Sequence, residues 1–138
     1  MKLKIRKLRE DAITPTLGTN GSNKLYLHVV EALPIPESKE NPGRVAKNWN
    51  HMLTFRTGIA LEVPKGYVCM ITIIPELSVI YGYKLASQVV MIDSSYKGEI
   101  SLTLNVPRGI IFPNFAKGDV VAQMSIMPAK RVKIKVVE

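Results

Sequence analysis

The chain predicts an all-β domain, and three observations carry that reading. Short apolar, β-branched stretches recur along the 138 residues. Clusters of Gly, Pro, Asn or Asp separate them. No segment keeps a 3.6-residue apolar period for more than about two turns. Many short strands at such spacing suggest a sandwich, barrel or jelly roll, with few helices.

The elements follow in order. Residues 2–8 alternate basic and apolar side chains, the pattern of a strand with one solvated face. Further strands are expected at 24–32, 51–55, 57–62, 67–74, 78–81, 89–92, 99–106, 119–127 and 131–137. The breaks between them include Thr19-Asn20-Gly21-Ser22, Pro34-Ile35-Pro36, Pro64-Lys65-Gly66, Pro107-Arg108-Gly109 and Lys117-Gly118-Asp119. Gly and Asn reach backbone conformations closed to other residues, and Pro removes a ladder donor. Residues 36–50 are polar and carry Pro and Gly, so they read as an exposed loop. Trp49 either anchors that loop to the body or meets a partner, the anchor being the preferred reading. Repeats, low-complexity tracts and boundary signals are lacking, so residues 1–138 are expected to form a single domain.

Composition sets the broad class. Apolar residues make up 46% and charged residues 22%, as in ordinary globular proteins with a proper core. No apolar run nears the ~20 residues that cross a bilayer. The alternating N-terminus lacks a signal-peptide core. A cytoplasmic protein without membrane contact is expected. Cys69 is the only cysteine; it excludes an internal disulfide and, within Tyr67-Val68-Cys69-Met70-Ile71, reads as a buried, inert thiol. The net charge is +8, with basic residues gathered at the two ends. Such a balance suits nucleotides or nucleic acid. Yet these charges alternate with Leu3, Ile5 and Leu8, or with Val132, Ile134 and Val136, and no aromatics interleave to stack bases. Solvated strand faces are preferred, and a nucleic-acid partner is not expected.

Several kinds of chemistry find no support. His28, His51 and Cys69 cannot supply a zinc site of usual spacing, so no metal ligands are assigned and both histidines read as structural. Triad patterns and Gly-rich phosphate cradles are absent. What remains is Met91-Ile92-Asp93-Ser94-Ser95-Tyr96-Lys97-Gly98-Glu99-Ile100, read as a tight hairpin between two apolar runs. Its Asp could hold a water or a sugar hydroxyl. Its Tyr, three residues on, could lay a ring against a sugar. On local chemistry alone a plain turn is the stronger reading, since Asp and Ser favour turns and Tyr favours strands.

The wider sequence adds a resemblance. The Asp93–Tyr96 segment resembles the nucleoside-binding hairpin of the trimeric dUTPase family. Asp11-Ala12-Ile13-Thr14-Pro15-Thr16, Thr57-Gly58-Ile59-Ala60-Leu61-Glu62-Val63-Pro64-Lys65-Gly66-Tyr67 and Lys117-Gly118-Asp119-Val120-Val121-Ala122-Gln123 look like further family segments in the right order. Together they span most of residues 1–15 and 51–128. The resemblance implies a dUTPase-like distorted jelly roll forming homotrimers. It implies hydrolysis of dUTP to dUMP and diphosphate, with Mg2+ accompanying the nucleotide phosphates. By it, Asp93 stands where the family Asp orients water and bonds the 3′-hydroxyl. Tyr96 stands where the family Tyr lies under the deoxyribose. Gln123 falls where a Gln reaches phosphate, and the backbone at Ser87, Val90 and Met91 faces the base edge.

Departures from the family pattern are equally specific. Where the first motif reads Ala-Gly-Tyr-Asp-Leu, this chain has Ser22-Asn23-Lys24-Leu25-Tyr26-Leu27, without an acid. Where the second reads Pro-Arg-Ser-Gly, Pro75 is followed by Glu76-Leu77-Ser78, and an acid facing a triphosphate repels it. Ser87 replaces the family Asn, and Val90 a Gly. The chain stops at Glu138, before the Gly-rich fifth motif. The expectation is a protein that binds a nucleotide-like ligand at subunit interfaces with hydrolysis lost or much reduced. The alternatives are an active dUTP diphosphatase, in which Arg108, Arg131 or Lys24 replaces the missing phosphate ligands, and a ligand-free trimer that engages another protein. A phage or other mobile element would suit such a homologue.

Overall fold

The computed structural model describes residues 1–35, 51–107 and 115–138. Eleven strands and one short helix follow in chain order: β1 (Lys4–Lys7), β2 (Thr16–Leu17), β3 (Leu25–His28), β4 (Glu31–Ile35), β5 (His51–Arg56), β6 (Ile59–Glu62), β7 (Tyr67–Ile73), α1 (Pro75–Val79), β8 (Lys84–Leu85), β9 (Val90–Ile92), β10 (Ser101–Val106) and β11 (Val120–Pro128). All strand pairs are antiparallel. They form a five-stranded sheet in the order β2-β3-β11-β7-β9, a four-stranded sheet β4-β5-β10-β8, and the β1-β6 pair. The all-β expectation holds.

Two-residue periodicity builds the sandwich. In β10 every second residue, Leu102, Leu104 and Val106, is buried. They share one core with Leu53 and Phe55 of β5, and with Leu27, Cys69, Ile71 and Met124 of the five-stranded sheet. Apolar side chains from both sheets thus interdigitate in one interior, as alternating strands require. Cys69 is fully buried, and burial pushes its thiol up to about 11. His28 accordingly acts as a structural bridge: its Nδ1 lies 2.8 Å from the Gly118 carbonyl and its Nε2 3.0 Å from Thr16 Oγ1.

Two expected strands are not strands. Residues 75–79 form a helical turn where 78–81 reads as extended. Pro75 at the first helical position, with Glu76 in the first turn, starts a helix, and only Leu77 of that turn packs inward. Residues 131–137 have no ladder partner among the described residues. β11 pairs with β7 as far as Pro128–Tyr67 and then has no neighbour. Val132, Ile134, Val136 and Val137 are 75–90% exposed. The loop with Trp49, the side chain of His51 and Arg108 lie outside the described residues.

Candidate functional site

The Asp93–Tyr96 segment is a turn but not a hairpin, a correction to the sequence reading. β9 pairs only with β7, while β10 pairs with β5 and β8. The chain therefore crosses from one sheet to the other through residues 93–100. Between the outer edge of β9 and residues 99–101 opens a cleft of about 430 Å3, lined by Val90, Met91, Asp93, Tyr96, Glu99 and Ser101 among others. This is within the size of small-molecule sites. Among the described residues β9 ends its sheet, and the backbone groups on its outer edge have no strand partner there.

The turn is organised by its own side chains. Asp93 Oδ1 accepts from the Ser95 amide at 2.9 Å and from the Ser95 hydroxyl. These bonds, the hydroxyl first, hold the Asp93 carboxyl below its usual range. Asp93 thus stands at the turn as a hydrogen-bond acceptor. Tyr96 folds over Gly98 and donates its hydroxyl to the Glu99 carbonyl at 2.8 Å. A Cβ on Gly98 would stand 2.9 Å from that hydroxyl. Beyond the turn, the Glu99 carboxylate takes two bonds from the Arg56 guanidinium, at 2.8 and 3.2 Å, and one from the Gly58 amide at 3.3 Å. Arg56 holds the Glu99 carboxyl below its usual range.

Other sequence-predicted residues lie elsewhere. Gln123 faces a second cleft of about 360 Å3, together with Lys24, Tyr26, Pro75, Glu76 and Val120. Its amide reaches Thr72 Oγ1 at 3.4 Å. Ser87 is exposed in the turn before β9 and lines neither cleft. Beside it, Gln88 adopts a positive φ of 68°, uncommon for a residue with a side chain. Four predicted residues (Val90, Met91, Asp93 and Tyr96) therefore meet in one place. Gln123 joins two of the sequence departures, the first-motif stretch with Lys24 and Tyr26 and the second-motif Glu76, in another.

Comparison with known proteins bears on the family and the fold. The deoxyuridine 5′-triphosphate nucleotidohydrolase of Hydrogenobaculum is 33% identical over 135 residues, which cover 97% of this chain and 85% of the relative. The chain belongs to the dUTPase family. The dUTPase of Crocosphaera subtropica is 30% identical over the whole chain and 88% of its own length. Among solved structures, dUTPases of two staphylococcal phages share the fold. The phage phi11 protein matches with a TM-score of 0.77 and 19% identity, covering all of this chain and 97% of that one. The phage 80alpha protein matches at 0.76 and 17%, covering 99% and 96%. The 80alpha dUTPase has been solved with dUpNHpp, and a phi11 mutant coordinates a structural Mg(II) ion. No family model matches the chain.

Within this dUTPase-family fold, sequence reasoning missed Gly98, Glu99 and Arg56. Gly98 had a readable signal, since a glycine two residues after a turn tyrosine leaves room for the ring. Arg56 and Glu99 lie 43 residues apart, and nothing local announces their pairing.

Proposed function

We propose that this dUTPase-family chain binds a deoxynucleotide in the Asp93–Tyr96 cleft and hydrolyses dUTP weakly. The observation that supports binding is the splayed pair of backbone edges. Among the described residues β9 is laddered on one side only, and a planar base entering beside it finds unpaired amides and carbonyls to satisfy. The ionised Asp93 accepts a sugar hydroxyl or orients a water. Tyr96 offers a ring face to the sugar, a contact that a second hydroxyl on the sugar would crowd. Val90 and Met91 border the base, Met91 being 62% exposed and free to adapt.

Weak hydrolysis rests on the second cleft. There Glu76 shares the surface with Lys24 and Gln123. A carboxylate facing a triphosphate repels it, and one missing electrostatic contact in the transition state costs a factor of ~10²–10³. Among the described residues no three His, Cys, Asp or Glu side chains converge. The residues do not fit a protein-held metal cage. Magnesium would arrive on the nucleotide's own phosphates.

The two clefts share no lining residue, and in the proposed assembly one nucleotide spans the first cleft of one copy and the second cleft of a neighbour. Residues 131–137 support a homotrimer. They alternate Arg131, Lys133 and Lys135 with exposed Val132, Ile134 and Val136, a strand pattern without a ladder. A neighbouring copy supplies that ladder.

The test is diphosphate release from dUTP with magnesium, paired with calorimetry using dUpNHpp. Binding heat with little turnover is expected. Turnover at ~1–10³ per second, abolished by Asp93→Ala, would overturn weak hydrolysis. It would establish the second reading, an active dUTP diphosphatase, which the near-full-length relation to dUTPases and the cation Lys24 favour. Absence of heat with every deoxynucleotide would remove the binding reading itself.

A further inference from the structure

We propose that Arg56, Thr57 and Gly58 form a clasp that keeps the nucleotide cleft open, making Arg56 and Thr57 positioning residues for a ligand that meets neither of them. The ligand half of this inference rests on the binding reading above. The structural half does not.

Strands consecutive in a chain pair or neighbour roughly two times in three. Here β9 and β10 are consecutive, joined through residues 93–100, yet they do not pair with each other. The cause lies on the far side of residues 99 and 100. Both backbone groups of Ile100 are engaged on that side, the carbonyl by the clasp and the amide by the neighbouring Ile59. Its amide donates to the Ile59 carbonyl at 2.9 Å, and its carbonyl accepts from the Thr57 amide at 3.3 Å and from Thr57 Oγ1 at 2.6 Å. The Glu99 carboxylate adds the Arg56 fork and the Gly58 amide. Thr57 is buried, and its hydroxyl goes to this carbonyl, the pairing that spares a buried hydroxyl its cost in stability.

The clasp is itself anchored. Arg56 also reaches Glu31 at 3.3 Å, Glu31 meets Arg9 at 2.7 Å, Arg9 forks onto Asp11, and Lys117 closes on Asp11 at 2.8 Å. Three cations and three carboxylates thus run as one balanced chain, ending at Glu99. At Gly58, φ is +68° and an added Cβ would stand 3.1 Å from the Ala12 side chain. The bend that presents the Gly58 amide to Glu99 therefore requires glycine. Neither Arg56 nor Thr57 lines the cleft. Their effect on a ligand passes through the position of residues 99–100 and of Tyr96, whose hydroxyl rests on the Glu99 carbonyl.

The experiment uses Thr57→Val, Thr57→Ser and the double variant Thr57→Val/Arg56→Met in the full chain. In ligand-free protein, amide hydrogen exchange is followed across β9 and β10. Each lost hydrogen bond shifts an equilibrium by roughly two- to tenfold, so the double variant should let the two edges zip together. Cleft-facing amides of Val90–Ile92 then gain at least tenfold protection, while the interior of β10 keeps its own. Titration with dUpNHpp should weaken about tenfold, because affinity scales with the open fraction. Thr57→Ser, which keeps the hydroxyl, should match the parent. Thr57→Val alone, which keeps the Thr57 amide bond, guards against a double variant that fails to fold and should shift in the same direction by a smaller factor. Unchanged β9 protection with unchanged affinity overturns the proposal. So does loss of protection spread over both sheets, which marks a merely structural contact. If the parent chain gives no heat with dUpNHpp, the binding reading fails while the exchange result still decides the clasp.

Discussion

Replacing Gly98 by alanine separates binding from stability at this site. The new methyl would stand 2.9 Å from the Tyr96 hydroxyl and 3.0 Å from the ring carbon bearing it, closer than such atoms approach. The exposed Tyr96 ring must lift, and its 2.8 Å bond to the Glu99 carbonyl is lost. That bond contributes about 0.5–1.5 kcal/mol. Gly98 has no positive φ, so alanine fits the backbone and returns about 0.4–1 kcal/mol by restricting the unfolded chain. The two nearly cancel, and the melting temperature should move by only a few degrees. Affinity behaves differently. Losing the tyrosine face costs a stacked contact of about 1.4 kcal/mol, or tenfold. Calorimetry with dUpNHpp beside a thermal melt measures both. Affinity within twofold of the parent would refute the placement of Tyr96 against the ligand; a melt lowered by ten degrees or more would refute the cancellation.

Other perturbations follow from single contacts. Glu76→Arg exchanges repulsion for attraction in the second cleft and should raise turnover of dUTP at least tenfold, read by diphosphate release. Cys69, with its thiol pushed up to about 11 by burial, should resist alkylation in the native protein at pH 8 and react only on unfolding, as mass spectrometry would show. Glu99, Asp11 and Asp93 all have carboxyls held below their ordinary range, by Arg56, by Lys117 with Arg9, and by Ser95 respectively. Depressed carboxyls contribute stability above their unfolded values of about 4 and lose it as pH falls through the folded ones. Denaturant midpoints should stay level from pH 7 to 5 and drop below about pH 4. Charges at Ile134 and Val136 (Ile134→Glu/Val136→Glu) should shift sedimentation from the proposed trimer to monomer.

The fold was legible wherever burial alternates with period two. β5, β7, β10 and β11 each place apolar residues on one face, and the pattern is in the sequence. The 78–81 error came from reading Val79, Ile80 and Tyr81 as strand formers, although Pro75 and Glu76 nucleate a helical turn and two of those side chains stay 68–82% exposed. Residues 131–137 carry a true strand pattern, but a pattern cannot say whether its partner lies in the same chain. Asp93 and Tyr96 were legible because a turn places near neighbours together. The splaying of their flanks was not, since it depends on Thr57 and Arg56, which reach Ile100 and Glu99 across 43 residues. Long-range contacts of this kind leave no local periodicity.

The exposed seam at Val132, Ile134 and Val136 also makes the amount of protein a physical variable. In the proposed assembly, a segment that completes its hydrogen bonding only on a neighbour is ordered by mass action. Dilution then acts like a denaturant aimed at one strand, removing the second cleft from the first before either sheet melts. Ligand capture would rise with a power of chain concentration above one, so a cell could set the onset of binding by synthesis rate alone.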